Sequence, residues 1–402
     1  MTPTFVEYRS KMKNALVRNA FAGLLLAVAG AFASTTASAA AATIPTPPPV
    51  PATGYLLIDH DSGRVLAEQR STERMEPASI TKVMTAYIVF TALKEKRLAL
   101  TDTVKVSEHA WRTGGAMTDG STSFLELGSD VPVEDLIKGM IVQSGNDATI
   151  VLAEKLGGTE DGFVQIMNEY AKRLGMKDTN YTTSWGKPSP QNITTAHDLA
   201  LLASALIRNF PDYYKYYSMK EFTWNKHTQP NRNGLLWRDP SVDGIKTGHT
   251  ESAKYCLMTS ANRNGMRLIS VVLGAPSIKA REDASSALLN YGYTFFETVK
   301  LHAAGTVVLK PSVFKGEATE VNVGSTTPIS ITVARGQGAS ITKDAKVNTP
   351  LIAPLKAGQV VGEYTISAGD EVVARVPLVA LTKVDEGGVW RWAVDSVKLW
   401  FE

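Results

Sequence analysis

Apolar residues change their spacing twice along this chain of 402 residues. Tyr55-Leu56-Leu57-Ile58-Asp59 and Arg64-Val65-Leu66-Ala67 flank the turn-forming Asp61-Ser62-Gly63, which predicts a β-hairpin. Ile80, Val83, Met84, Tyr87 and Ile88 then fall at i, i+3, i+4, i+7 and i+8, the stripe of an amphipathic helix opened by Ser79. Helical spacing continues through 133–140, 148–156, 162–174 and 195–207, the last with Thr194 or Thr195 as a cap. From Val242 the period shortens. Residues 242–250, 255–260 and 267–273, with a tight turn at Asn262-Arg263-Asn264-Gly265, read as successive antiparallel strands. A helix near 281–299 closes the unit. The pattern predicts an α+β domain over 54–300, a sheet of terminal strands around a mostly helical middle.

Past Leu301 the chain is rich in Val, Thr, Gly and Pro and alternates apolar with polar residues at 319–323, 329–333 and 371–376. This predicts a small all-β, sandwich-like spacer domain over 301–384 without a catalytic cluster. The last segment, 385–402, changes character again. At 100° per residue Arg391, Asp395, Lys398 and Glu402 share one narrow arc. Trp390, Trp392, Ala393, Val394, Val397, Leu399, Trp400 and Phe401 cover most of the rest. Such a helix is too short to span a bilayer and suited to lying in its interface, anchored by Trp390, Trp392, Trp400 and Phe401. The alternative is a helix docked on its own β-domain.

Charge adds an address. The net charge is +3, and Arg9, Lys11, Lys13 and Arg18 against Glu7 place all of it in the first 42 residues. The remainder is neutral, so nothing points to nucleic acid. The basic start, an apolar stretch from Ala20 to Ala33 and the small-x-small Ala37-Ser38-Ala39 read as a secretory signal over 1–39. A proline-rich tether over 40–53 follows, including TPPPVP at 46–51. Cys256 is the only cysteine, which excludes an internal disulfide, and its apolar surroundings fit a buried strand thiol rather than a nucleophile. The six histidines form no HExxH or other ligand spacing, so neither a metal nor a cofactor is implied.

The candidate chemistry lies in three short words in fixed order: Ser79-Ile80-Thr81-Lys82, Ser144-Gly145-Asn146 and Lys246-Thr247-Gly248. Each alone is weak. Ser10 to Lys13 and Ser312 to Lys315 also spell S-x-x-K, and Ser260-Ala261-Asn262 spells S-x-N. Only the first set is in order, with Ser79 opening a helix and Lys246 on a strand. A serine at a helix N-terminus has free backbone N–H groups beside it, useful next to a developing oxyanion. Lys82, at i+3, reaches the same face and can take the Ser79 proton if burial and a second cation lower its pKa. Lys246 is the candidate cation. Ser144 is placed to relay a proton, Asn146 to bind a substrate amide, and Thr247 to meet a carboxylate that Gly248 leaves room for. A capping serine and surface lysines would explain one word but not three in order.

The segments 123–128 (SFLELG), 139–148 (GMIVQSGNDA), 220–224 (KEFTW), 231–237 (NRNGLLW) and 242–250 (VDGIKTGHT) resemble the low-molecular-mass penicillin-binding proteins, specifically the serine-type D-alanyl-D-alanine carboxypeptidases. The resemblance covers nearly the whole chain after the leader. It implies a penicillin-recognising transpeptidase-like fold that removes the terminal D-alanine from peptidoglycan pentapeptide stems and takes β-lactam antibiotics as acylating inhibitors. Ser79 is then the acylated residue, Lys82 its base, Ser144 and Asn146 the cleft wall, and Lys246 and Thr247 the carboxylate side. The backbone N–H groups of Ser79 and His249 form the oxyanion hole. Arg232 is either a further carboxylate contact or an exposed turn arginine. The expected location is the periplasmic side of the cytoplasmic membrane, held there peripherally by the tail.

Three rivals remain. A class A β-lactamase needs a glutamate in an E-x-x-L-N pattern; Glu221-Phe222-Thr223-Trp224-Asn225 has the spacing, with Trp for Leu, but lies late in the chain. A peptidoglycan DD-endopeptidase is the second. A non-catalytic peptidoglycan-binding scaffold is the third, opposed by the intact Ser79, Lys82, Ser144 and Lys246.

Overall fold

The computed structural model describes residues 44–401; the expected signal over 1–39 and the start of the tether lie outside them. The central sheet has five antiparallel strands in the spatial order Val65–Gln69, Gly54–Asp59, Met266–Ala275, Lys254–Arg263 and Val242–Thr250. Strands from both ends of the domain thus lie side by side, and Leu56 pairs with Val271 across more than two hundred residues. The register fixes which face each side chain takes. Leu56, Ile58, Met258, Ile269 and Val271 enter the core shared with the helices. Leu57, Leu257, Leu268 and Val272 enter a second core beneath the helix Ile278–Phe295. Both faces are covered, so the strands read as continuous apolar runs.

The helix Lys82–Lys94 is not amphipathic as its stripe predicted. All its residues except Thr91 and Lys94 are buried. The polar positions that mimicked a solvent face, Lys82 and Thr85, point instead into the body of the domain, where each has a partner. The helices Asn146–Gly157, Glu160–Arg173 and Ala196–Asn209 surround it. Thr195 caps the last of these, accepting from the Asp198 N–H at 3.0 Å.

Three expectations are corrected. The closing helix ends at Phe295 rather than 299, and Phe296–His302 is a strand paired with Ile329–Ala334. Glu297, Thr298 and Val299 bring a β-branched pair and no helix signal. Within 319–323 only Val323 is in a strand, Val323–Gly324. The proline-rich stretch is not a free tether where it is described. Val50 and Ala52 pack against the second core, and the Tyr291 hydroxyl donates to the Pro45 carbonyl at 2.9 Å.

The C-terminal part is all-β. A sheet of five strands includes Ile341–Val347, Val360–Ala368 and Glu371–Ala380, and its core contains Ile331, Val333, Val361, Ile366 and Leu378. Ser62 and Arg64 of the hairpin turn reach the Thr332 hydroxyl and carbonyl, both at 2.6 Å, joining this part to the first. A final helix, Val389–Lys398, follows.

Candidate active site

Ser79 lies in a single 3-10 turn, Ala78–Thr81, which runs directly into the buried helix Lys82–Lys94. That placement sets Lys82 Nζ 3.0 Å from Ser79 Oγ. Two further acceptors hold the amine, Asn146 Oδ1 at 2.8 Å and the Trp185 carbonyl at 2.9 Å. The consequence is chemical. A neutral amine has two N–H bonds and one lone pair, and neither of these oxygens can donate. When Lys82 is neutral they take its hydrogens, which leaves the lone pair for the Ser79 hydroxyl. Burial pushes the Lys82 pKa down to about 7, and the Arg232 guanidinium acts the same way, against the pull of Asp147 and Glu160. The sequence had pointed to Lys246 as the second cation. Arg232 joins it as a cation that acts on Lys82, and Lys82 and Lys246 repel each other in turn.

Three elements converge on this pair. The first is the segment Ser144-Gly145-Asn146 between two helical runs. Ser144 adopts a left-handed backbone, φ 62°, uncommon for a residue with a Cβ. The turn ends the preceding helical run and lets Ser144 Oγ accept from Lys246 Nζ at 3.0 Å. Beneath it Asp147 is fully buried and accepts from the N–H groups of Ser123, Leu125 and Ala148 and the Thr122 hydroxyl, at 2.8–3.1 Å. Burial pushes its carboxyl pKa up, and those donors oppose the shift.

The second element is the edge strand Val242–Thr250. Gly248 is required there, since a Cβ would stand 2.9 Å from the Pro77 carbonyl and 3.2 Å from Ala78 Cβ. Without a side chain the strand closes on the Ser79 turn. Lys246 is buried, and its pKa is well below the usual value through burial, then Lys82, Arg232 and Arg281. The third element is the segment carrying Trp185. Ser184 is fixed by its carbonyl accepting from Thr85 Oγ1 at 2.6 Å and by its N–H and hydroxyl on Glu160 Oε1 at 2.9 and 2.7 Å.

Together these elements line a cavity of about 910 Å³. It contains Ser79, Ser144, Asn146, Arg232, Thr247, Gly248 and His249 of the sequence candidates. Arg232 is exposed on its turn yet faces this cavity, so it has the character of both readings. Lys82 and Lys246 sit behind the surface, at Ser79 and Ser144. Glu221 is absent from the lining; it lies on a separate hairpin, Glu221–Trp224 with His227–Pro230. Of the aromatic quartet, Trp390 and Trp392 are on the terminal helix and Trp400 and Phe401 just past its end, all outside this cavity.

Sequence reasoning missed Arg281 and the Trp185 carbonyl. Arg281 is buried, and its guanidinium donates to the carbonyls of Gly248 at 3.2 Å and Arg232 at 3.3 Å, tying the edge strand to the Arg232 turn. Its Nε has no partner among the described residues. No motif signals it, because its neighbours are remote in sequence.

The family described as D-alanyl-D-alanine carboxypeptidase matches residues 41–277, and the one described as penicillin-binding protein 5, C-terminal domain, matches 296–386. The D-alanyl-D-alanine carboxypeptidase DacC of Escherichia coli (strain K12) is 43% identical over 359 residues, which is 88% of this chain and 90% of that protein. The crystal structure of penicillin binding protein 5 from Haemophilus influenzae superposes with a TM-score of 0.80 at 41% identity, covering 85% of this chain and all of that one. The D-alanyl-D-alanine carboxypeptidase DacD from Francisella tularensis gives 0.70 at 33% identity, over 89% and 99% of the two chains.

Proposed function

The chain belongs to the D-alanyl-D-alanine carboxypeptidase family, and on that premise we propose that it releases the terminal D-alanine of peptidoglycan pentapeptide stems through an acyl-enzyme on Ser79. It is a serine-type carboxypeptidase of cell-wall metabolism and binds penicillin. The observation that carries the assignment of roles is the 3.0 Å contact from Lys82 Nζ to Ser79 Oγ, at an amine that burial brings to about 7. Lys82 takes the Ser79 proton as Oγ bonds to the carbonyl carbon of the penultimate D-alanine. The resulting oxyanion meets the backbone N–H groups of Ser79 and His249. The C–N bond then breaks, and the departing amine receives a proton through Ser144, which Lys246 holds. Water attacks the ester and frees Ser79. Thr247, Arg232 and, through them, Lys246 and Arg281 form the cationic side that receives the terminal carboxylate. Asn146 has two tasks, one to position Lys82 and one to hydrogen-bond the stem amide.

Purified protein should release D-alanine from a pentapeptide ending in D-Ala-D-Ala and hold penicillin as a long-lived adduct. Fast multiple turnover of penicillin would favour the β-lactamase, and release only from cross-linked dimers the endopeptidase.

Export and peripheral membrane attachment belong to the same reading. The terminal helix supports it by its orientation. Asp395, 2% exposed, accepts from the Lys315 N–H at 2.7 Å and from Arg391 Nε at 3.0 Å, so the polar arc faces the β-domain. Trp390 and Trp400 are 86% and 91% exposed, and Phe401 and Val397 also face outward. A helix docked on its own domain would bury that apolar face instead. Among the described residues no helix is long and apolar enough to cross a membrane, and a short helix with one wide apolar face is suited to lying in the interface. Deleting 389–402 should move the protein from the membrane to the soluble fraction with D-alanine release retained; unchanged fractionation would end this part of the proposal.

A further inference from the structure

A run of contacts orders the cleft from side to side. Arg281 bonds the carbonyls of Arg232 and Gly248, and Gly248 lies against the turn that carries Ser79. Lys82 links Ser79 to Asn146. On the far side of Asn146 stands the loop of Asp119, Gly120 and Ser121. The Asn146 N–H donates to the Ser121 carbonyl at 2.8 Å, and a Cβ on Gly120 would meet Asn146 Nδ2 at 2.6 Å, so the loop is seated directly on that side chain. It continues into Thr122, Ser123 and Leu125, all bound to buried Asp147. Asp119 is therefore presented at a fixed rim of the cavity. Among the described residues it makes no hydrogen bond or ion pair. The cleft is cationic on one side of Ser79 and carries an unpaired carboxylate on the other.

From this polarity we propose that Asp119 is a specificity-determining residue, selecting stems whose third residue carries a free side-chain ammonium. The inference rests on the carboxypeptidase reading. A substrate with its terminal carboxylate on the arginine side directs the preceding residues past Ser79 toward Asn146. The third residue precedes the acylated one by a single extended unit of about 3.5 Å. A long amine-bearing side chain there lies on the Asp119 side. Once that amine is acylated in a cross-link its charge is gone, so Asp119 favours uncross-linked stems. The other acid of the lining, Glu251, follows directly after the edge strand Val242–Thr250, two residues beyond His249.

The test uses the whole protein and two pentapeptides ending in D-Ala-D-Ala, identical except for lysine or Nε-acetyl-lysine at the third position. The expected ratio of kcat/KM is about threefold in favour of the free amine, the size of a partly screened ion pair, and it should shrink as salt is raised. Asp119→Asn should bring the ratio to about one, and Asp119→Lys should invert it. A wild-type ratio of one, or a preference that survives Asp119→Asn, overturns the inference, as does its loss in Glu251→Gln alone. Absence of release from both peptides overturns the carboxypeptidase reading and this inference with it.

Discussion

Replacing Lys82 by Arg should lower the rate of acylation by penicillin by at least about 10³-fold, within the range that a positioned general base supplies. Arginine keeps the positive charge and much of the volume but stays protonated, so it offers no lone pair to Ser79. Lys82→Ala should show the same loss. Because Lys82 is buried and bonds Asn146 and Trp185, circular dichroism and thermal melts must show that each variant is folded. In the native protein the acylation rate has a definite pH profile. The active form of Lys82 is the neutral one, and burial with Arg232 places its pKa at about 7. The rate should therefore rise with pH through about 7 and level off above it. A flat profile from pH 5 to 9, or less than a tenfold loss in Lys82→Arg, would remove Lys82 from the role of base.

The second large effect is on stability. Asp147→Ala removes the single carboxylate that satisfies the buried N–H groups of Ser123, Leu125 and Ala148 and the Thr122 hydroxyl. An unpaired buried donor costs about 1–3 kcal/mol. Three orphaned N–H groups, partly relieved by local rearrangement, make a loss on the order of 4 kcal/mol the expected result in urea unfolding. Asp147→Asn keeps one acceptor oxygen and should lose less. The loop 119–125 and the Ser144 turn share this anchor, so Asp147→Ala should also weaken acylation at temperatures where it remains folded. A loss below about 1 kcal/mol would show that the loop finds other partners.

The contrast between Lys82 and Asp147 shows what was legible in the sequence. Lys82 sits one helical turn from Ser79, a local relation that spacing encodes, and the ordered words placed Ser144, Asn146 and Lys246 near it. Asp147 stands next to Asn146 in the sequence, yet all its partners except the Ala148 N–H lie more than twenty residues earlier, and no spacing rule connects them. The same holds for Arg281 on Gly248 and for the Trp185 carbonyl on Lys82. The helix after Ser79 was misjudged for a related reason: Lys82 and Thr85 are polar because the interior needs them, and periodicity reads any polar position as a surface one. The terminal helix shows the reverse case. Its narrow polar arc was evident from the sequence, but which arc faces the β-domain depended on Asp395 meeting the Lys315 N–H eighty residues away.

The central claim is that Ser79 is the acylated nucleophile. Mass spectrometry of the full-length protein after exposure to benzylpenicillin tests it most directly, followed by digestion and mapping of the modified peptide. One adduct per chain, located on Ser79 and absent from Ser79→Ala, is the predicted result. A folded protein that forms no adduct, or carries it on another residue, would contradict the account.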